Sequence, residues 1–480
     1  MLRAHPDAKH DFAHPAWGGY TGPHHWNEPL FGYYHTEDRW VLRRHAELLA
    51  AADVDVIIFD NTNGAATWKS SYDVLLEVFD EARRDGVNPP QISFLLPFWG
   101  GKNNLTQLRL LYADLYQANR YPDLWFRWKG KPLIMASPEE LLASDEPEDR
   151  RIADFFTFRP GIPEYNVSDA DRQAEDRERG LPYRKQYWSW LSVYPQVINR
   201  NEDGSPEQMA VSVAQNWCAE RGLTPMNGEN VFGRTYTSNG YDARPDALLR
   251  GANFNEQAAL ALKTDPEFVF ITGFNEWIAG RYSEMWGVPN ALPDECCDAF
   301  SRDVEPTKGI LRDHYYYQTV GFIRRFKGAP ADPPDGAYAT IRSLRDWDGA
   351  GKTYTAYAGN VFDRDSSGYA GARYTDLSGR NDIADAAAAS DRENVYFLAA
   401  CKDCITPPTE ENWMRLLISV PGAEKTWEGY SHIVNRVSPD RNKAVLEKSL
   451  GGWRYHGSVR PRRYRADRKI QLPLFLCPAP

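Results

Sequence analysis

From Val54 onward the chain repeats one grammar: a short run of β-branched and aromatic residues, a polar or aromatic residue at its carboxyl end, then a helical stretch. Seven such runs are legible, at Val54–Asp60, Gln91–Trp99, Lys131–Ala136, Phe155–Arg159, Tyr187–Gln196, Met209–Gln215 and Phe268 onward. They end in Asp60, Trp99, Ser137, Arg159, Gln196, Gln215 and Glu276. Strands buried on both faces read as continuous apolar runs, and strands that alternate with helices pair in parallel. The pattern predicts an α/β chain whose first part is a (β/α)8 barrel. Its missing strand should precede Trp17, but Met1 to Pro15 is short and polar, so the amino terminus reads as incomplete.

Helices are expected between the runs. Thr36 is a plausible cap for one carrying Trp40, Val41, His45, Leu48 and Leu49 on a single face. Others are read at Tyr72–Arg84, Leu105–Asn119, Asn255–Lys263 and Asp313–Phe326.

The most strand-like run, Phe268-Val-Phe-Ile-Thr-Gly-Phe-Asn-Glu-Trp-Ile-Ala-Gly, delivers an amide, a carboxylate and an indole together at its carboxyl end. Asn275, Glu276 and Trp277 suit a sugar, whose hydroxyls meet polar groups and whose C–H face meets a ring. Catalytic groups of barrels lie at this end of the strands. Glu276 is therefore the first candidate for chemistry; the alternative is a Glu that caps the next helix or pairs with Arg281. Asp60, ending a buried strand, is the best candidate for a second carboxylate, with an Asx turn toward Asn61 or Asn63 as its alternative. Glu28, Glu164 and Glu284 are further candidates. Trp99, Arg159, Gln196, Gln215 and Trp277 fit hydrogen-bonding and stacking roles, or else fill the mouth of the barrel, and Asn63, Asn275 and Arg281 are further candidate substrate contacts.

Before the first helix comes a passage rich in rings and imidazoles, His14 to Tyr34, containing Gly22-Pro-His-His-Trp-Asn-Glu-Pro. It reads as a loop over a site, which makes His24, His25, Trp26 and Glu28 candidate sugar contacts. A metal site at His24, His25 and His35 lacks a thiol or carboxylate at metal spacing, and no cofactor is expected.

Sixteen Trp and 26 Tyr favour a site that stacks on flat ligands. A formal charge of −10 argues against nucleic acid or an anionic membrane as the main partner. The one basic run, Arg460 to Arg468, reads as a solvated strand and turn. No window reaches the roughly 18 apolar residues of a membrane span, and the first residues lack the apolar core of a secretion signal. The protein is intracellular as given, or secreted or periplasmic if its true start is missing. The Cys401-x2-Cys404 pair has no second pair at zinc spacing, which leaves a local disulfide or free thiols.

The segments His24-His-Trp-Asn-Glu-Pro-Leu-Phe-Gly-Tyr-Tyr, Val54-Asp-Val-Ile-Ile-Phe-Asp-Asn-Thr-Asn and Phe268 to Arg281 resemble uncharacterised bacterial proteins related to glycoside hydrolase family 99. The resemblance spans roughly residues 17 to 325 and implies a (β/α)8 barrel that hydrolyses glycans at its carboxyl-terminal face. Family 99 enzymes carry two glutamates three residues apart at the matching strand end, used as base and acid with help from the substrate's 2-hydroxyl. Glu276 matches the first, and the second falls on Ala279. The departure sends the search for the acid to Asp60, Glu28, Glu164 and Glu284.

Residues 326–336 are a linker by composition, with Pro330, Pro333 and Pro334. The division expected is a catalytic domain over 1–329 and a second domain over 337–480. After the linker come short alternating runs separated by Gly, Asp and Pro, which predict an antiparallel β-sandwich. Tyr374 to Ile383 and Asp391 to Phe397 resemble the carbohydrate-binding family 9-like sandwich, for which Trp413, Trp427, Tyr430 and Trp453 could form a sugar platform or simply the core. The functional expectation is a glycoside hydrolase with Glu276 and Asp60 as its carboxylate pair. Two others stand beside it: a carbohydrate-binding protein that has lost the acid, and a metal-dependent hydrolase built on the histidines.

Overall fold

The computed structural model describes residues 2, 4–19, 22–178, 180, 187–328, 339–350, 352–356, 359–407, 413–420, 422–425, 430–437, 439, 444–450, 453–461, 464–466 and 469–476. The chain divides into two compact units, Met1–Ala329 with Gly368–Ala372, and Pro330–Ser367 with Arg373–Pro480. The whole is mixed α/β with many small sheets.

In the first unit the regular strands are β1 (Val56–Asp60), β2 (Gln91–Leu95), β3 (Lys131–Ile134), β4 (Thr157–Phe158), β5 (Gly161–Ile162), β6 (Trp188–Ser189), β7 (Pro206–Ser212) and β8 (Phe268–Thr272). β1 pairs with β2, β3 with β4, β5 with β6 and β7 with β8, each in parallel. A bridge from Leu95 to Met135 joins the first two pairs. Between β6 and β7 a side chain does the work of a ladder: Gln208 accepts from the Ser189 amide at 2.9 Å and donates to its carbonyl at 2.7 Å.

Alternate residues of these strands leave for two different cores, as a pleat buried on both faces requires. Ile57, Phe59, Ile92, Phe94 and Ile134 pack with Tyr72, Leu75, Leu76, Phe79 and Ala82 of the Lys69–Arg84 helix. Val56, Ile58, Leu95, Leu133, Trp188, Phe268 and Phe270 meet in a separate cluster fed by five strands. On the helix side of β8, Val269 and Ile271 join Phe254, Ala258 and Ala261 of the Ala252–Thr264 helix, with Phe322 and Ile323 of the His314–Lys327 helix. Full burial of each such side chain contributes about 1.5–3 kcal/mol.

Local readings shift where side chains compete. The first long helix, Arg39–Ala51, is capped by Asp38 and not by Thr36, because the Asp38 carboxylate accepts from the Trp40 and Val41 amides at 3.0 and 3.3 Å. Thr36 spends its hydroxyl on Glu37 and Ser71. Phe155 closes the Pro147–Phe155 helix and is not a strand residue. The third helix, Lys102–Leu111, continues as a wider π turn over Tyr112–Gln117. The described residues before Tyr20 form two short 3-10 turns, Pro6–His10 and Pro15–Trp17.

In the second unit every ladder along the main path is antiparallel, in the order Lys352–Thr355, Ile383–Ser390, Val395–Cys401, Lys469–Leu476, Trp453–Pro461, Ala444–Ser449, His432–Val434 and Leu416–Ile418. Trp347, Ala387, Ala389 and Tyr396 form one apolar cluster, and Val434, Ala444 and Leu446 another. Trp413 is buried, with its indole N–H on the Thr406 carbonyl at 3.1 Å, so it serves the interior. Trp427 and the Trp453 side chain lie outside the described residues. Cys401 is buried, Cys404 is exposed, and no disulfide joins them.

Candidate active site

Glu276 follows the carboxyl end of β8, and two segments from elsewhere in the chain fix it there. The short strand His24–His25 pairs antiparallel with Ile278–Ala279, which brings the opening loop beside Glu276. On the other side the run Arg302–Glu305 lies along Gly273–Glu276: the Gly273 amide donates to the Arg302 carbonyl at 3.0 Å and the Glu305 amide to the Phe274 carbonyl at 2.9 Å. The Glu276 amide itself donates to Asp303 Oδ1 at 2.7 Å.

This second segment supplies the charges around Glu276. Arg302 Nη2 lies 2.9 Å from Glu276 Oε2 and 3.3 Å from Asp294 Oδ1, so one nitrogen holds two carboxylates side by side. Its guanidinium is 4% exposed and packs over the Trp190 ring. Glu276 keeps 45% of its side-chain surface open to solvent although protein crowds it closely. That crowding pushes its carboxyl up to about 8. Arg302 opposes the rise, and Asp294, Asp303 and Asp60 reinforce it. Water on the open face favours the anion and works against the rise. Asp303 is pushed up to about 6 by burial, against the pull of the Glu276 amide, Arg302 and Arg234. Glu295 is 1% exposed with no hydrogen bond to either carboxyl oxygen, and burial first, then Asp303 and Glu276, drive it well above the usual range.

Near the same loop Glu305 is fully buried and gathers three groups. Tyr34 Oη donates to it at 2.7 Å, His45 Nε2 lies 2.7 Å away, and the Trp277 indole N–H donates to it as well. Asn275 Nδ2 in turn donates to Tyr34 Oη at 3.2 Å. The network locks the Asn275-Glu276-Trp277 loop to the first helix.

The sequence-expected residues separate into groups. Asp60 is exposed at the end of β1, accepts from Thr62 N and Oγ1 at 2.9 and 2.7 Å, and acts on Glu276 through its charge. Trp26 and Trp277 stack on each other at 4.9 Å, are 8% and 6% exposed, and Trp26 donates to the Glu276 carbonyl at 3.1 Å. His24 is buried, and burial followed by the Arg281 charge lowers its imidazole to about 4, which keeps it neutral at pH 7. His25 is half-buried and lowered for the same first reason. Arg281 lies 3.7 Å over the Trp17 ring. Glu28 pairs with Lys308 at 2.6 Å, Asn63 and Glu284 are exposed, and Glu164 pairs with Arg172. Trp99 is 53% exposed, with Arg172 4.2 Å beneath its ring.

Three others are engaged in the interior. Arg159 makes a bidentate pair with Glu207 at 3.0 and 2.6 Å. Glu207 is the second residue of β7, and the register Gln208↔Phe268 sets it beside the start of β8, a strand that spans about 17 Å. Gln196 donates to the Gln257 carbonyl at 2.9 Å, and Gln215 to Asn253 at 2.8 Å, so both hold the Ala252–Thr264 helix. Among the described residues no three His, Cys, Asp or Glu side chains converge as a metal site, and no helix is long and apolar enough to cross a membrane.

No family model and no curated protein matches this chain. Two solved structures of the GH99 endo-alpha-mannosidase from Bacteroides thetaiotaomicron, one in complex with bis-tris propane, are similar to it. Identity is 14% and 17%, the TM-score is 0.36 for both, 63% of this chain is covered, and 84% and 88% of those chains. The likeness is distant.

Sequence reasoning missed Asp294, Glu295, Arg302, Asp303 and Glu305. They sit in irregular backbone, where no periodicity marks a face, and Arg302-Asp-Val-Glu reads as a solvated charged run. The signal available was the density of acids between Asp294 and Glu305 so soon after Glu276.

Proposed function

We propose that the chain is a glycoside hydrolase, with its first unit a (β/α)8-type barrel and its second an antiparallel β-sandwich. The observation that carries the activity is the Arg302 bridge. It sets Glu276 and Asp294 beside each other at a strand's carboxyl end, their bridged oxygens no farther apart than the two contacts laid end to end. Glycoside hydrolysis uses two carboxyl groups, about 5–5.5 Å apart in retaining enzymes and about 6.5–9.5 Å in inverting ones. In this reading the shared guanidinium keeps the two carboxyl groups close enough to serve one glycosidic bond.

In this reading Glu276, raised by crowding and open to solvent, keeps its proton at neutral pH and gives it to the departing glycosidic oxygen as general acid. A neighbouring carboxylate acts at the anomeric carbon. Asp294 takes that role through the shared Arg302, and Asp60 is the second candidate. Trp99 offers an open ring for a sugar's C–H face. The barrel reading is supported by the parallel pairs and by the apolar cluster that five strands feed.

A second reading, a carbohydrate-binding protein without hydrolysis, is favoured by Ala279, which stands three residues after Glu276 and is tied to His24 in a ladder. Incubation with a panel of oligosaccharides and polysaccharides separates the two. Release of reducing ends by the wild-type protein, and not by Glu276→Gln, supports the hydrolase. A glycan that is bound and stays intact supports the binder.

A further inference from the structure

We propose that Cys296 and Cys297 form a redox-active vicinal dithiol, in which Cys297 is oxidised by a hydroperoxide and Cys296 closes the disulfide. The pair follows directly after Asp294 and Glu295, in a turn tied by the Cys296 amide on the Phe300 carbonyl at 2.8 Å and the Phe300 amide on the Cys297 carbonyl at 2.9 Å. This turn aims the Ala299 and Phe300 amides at the Cys297 sulfur.

The two thiols differ in the way such a pair requires. Cys296 is 1% exposed, packed with Ala214, Met226, Val231 and Leu292. Cys297 is half-buried. A hydrogen bond from the Cys296 thiol, then the two amides, hold the Cys297 thiol below its ordinary range against burial; the same contact, then burial, push Cys296 up. The charged groups facing the pair are Lys9, Glu295 and Asp298. A stabilised thiolate beside a protonated thiol gives one attacking and one resolving sulfur.

The steps balance. The Cys297 thiolate attacks the terminal oxygen of the hydroperoxide, the O–O bond breaks, and the alcohol or water leaves with a proton, giving a sulfenic acid. The Cys296 sulfur then attacks Cys297, the S–O bond breaks, and water leaves with the Cys296 proton as the S–S bond forms. Two thiols are oxidised and one peroxide is reduced.

Hydrogen peroxide is added to the full chain, and the product is digested without reductant and mapped by mass. The result expected is a Cys296–Cys297 peptide lighter by two hydrogens, restored by dithiothreitol, and in Cys296→Ser a sulfenic acid at Cys297 trapped by dimedone. With iodoacetamide at neutral pH, Cys297 of the untreated wild type should alkylate about tenfold faster than the exposed Cys404. Oxidation that falls on Cys404 or Cys218 while the 296–297 peptide stays reduced would overturn the proposal. So would equal alkylation of Cys297 and Cys404, a comparison that needs no variant to fold.

Discussion

Arg302 Nη2 lies 2.9 Å from Glu276 Oε2, across 26 residues of sequence, and the same nitrogen reaches Asp294 at 3.3 Å. One buried guanidinium therefore bears on both the position and the charge balance of Glu276. Without Arg302, three neighbouring acids would face Glu276 uncompensated.

Replacing Glu276 with Gln keeps the shape and removes the proton. Turnover on a cleaved glycan should drop at least 10²-fold, the usual contribution of a positioned acid or base. Near-normal kcat in this variant would remove Glu276 from the chemistry.

The same variant should alter the pH dependence of stability. A carboxyl whose folded pKa is raised from 4.5 to about 8 holds its proton in the native state where the unfolded chain has lost it. Its contribution is complete below about 4.5 and is lost as pH rises toward 8. The Tm of Glu276→Gln minus that of wild type should therefore increase between these limits and flatten outside them. A difference that does not change with pH would show that Glu276 is not raised.

Asp294→Asn and Asp60→Asn decide which carboxylate partners Glu276. Loss of an attacking carboxylate should abolish turnover whatever the pH. Loss of one that acts only by its charge should lower the upper pKa of the kcat/KM profile, because that charge raises Glu276. Asp294→Asn is expected to follow the first pattern and Asp60→Asn the second; the reverse would exchange their roles.

Glu305→Ala should undo the buried network of Tyr34, His45 and Trp277. Tyr34 and Trp277 would each lose a buried acceptor, at roughly 1–3 kcal/mol apiece. Urea denaturation measures it, and a loss below about 1 kcal/mol would mean the loop is held by packing alone.

Trp99→Ala tests the stacking surface. One face of the ring covers the buried Arg172, so stability should fall by about 0.5–2 kcal/mol, while KM for a cleaved glycan should rise about three- to tenfold, as expected for a stacking contact worth about 0.5–1.5 kcal/mol. An unchanged KM would place Trp99 outside the binding path.

The sequence by itself determined the elements that depend on local pattern. Phe268–Thr272 and Val56–Asp60 are strands because their apolar runs can be buried on both faces, and Glu276 stands at a strand end because polar residues follow such a run directly. It also separated an alternating first part from a second part of short runs, since the two grammars bury different periodicities. What the tertiary structure decided was which distant groups meet. Arg159 is engaged with Glu207, and Gln196 and Gln215 with the Ala252–Thr264 helix, because interior polar groups take whichever partner the packing brings within reach. Trp26 and Trp277 turned their faces to each other for the same reason. Asp294, Arg302, Asp303 and Glu305 surround Glu276 through backbone bonds made by irregular segments, which carry no period. Coulomb interactions depend on distance in space, and local pattern does not encode the distance between residues 276 and 302.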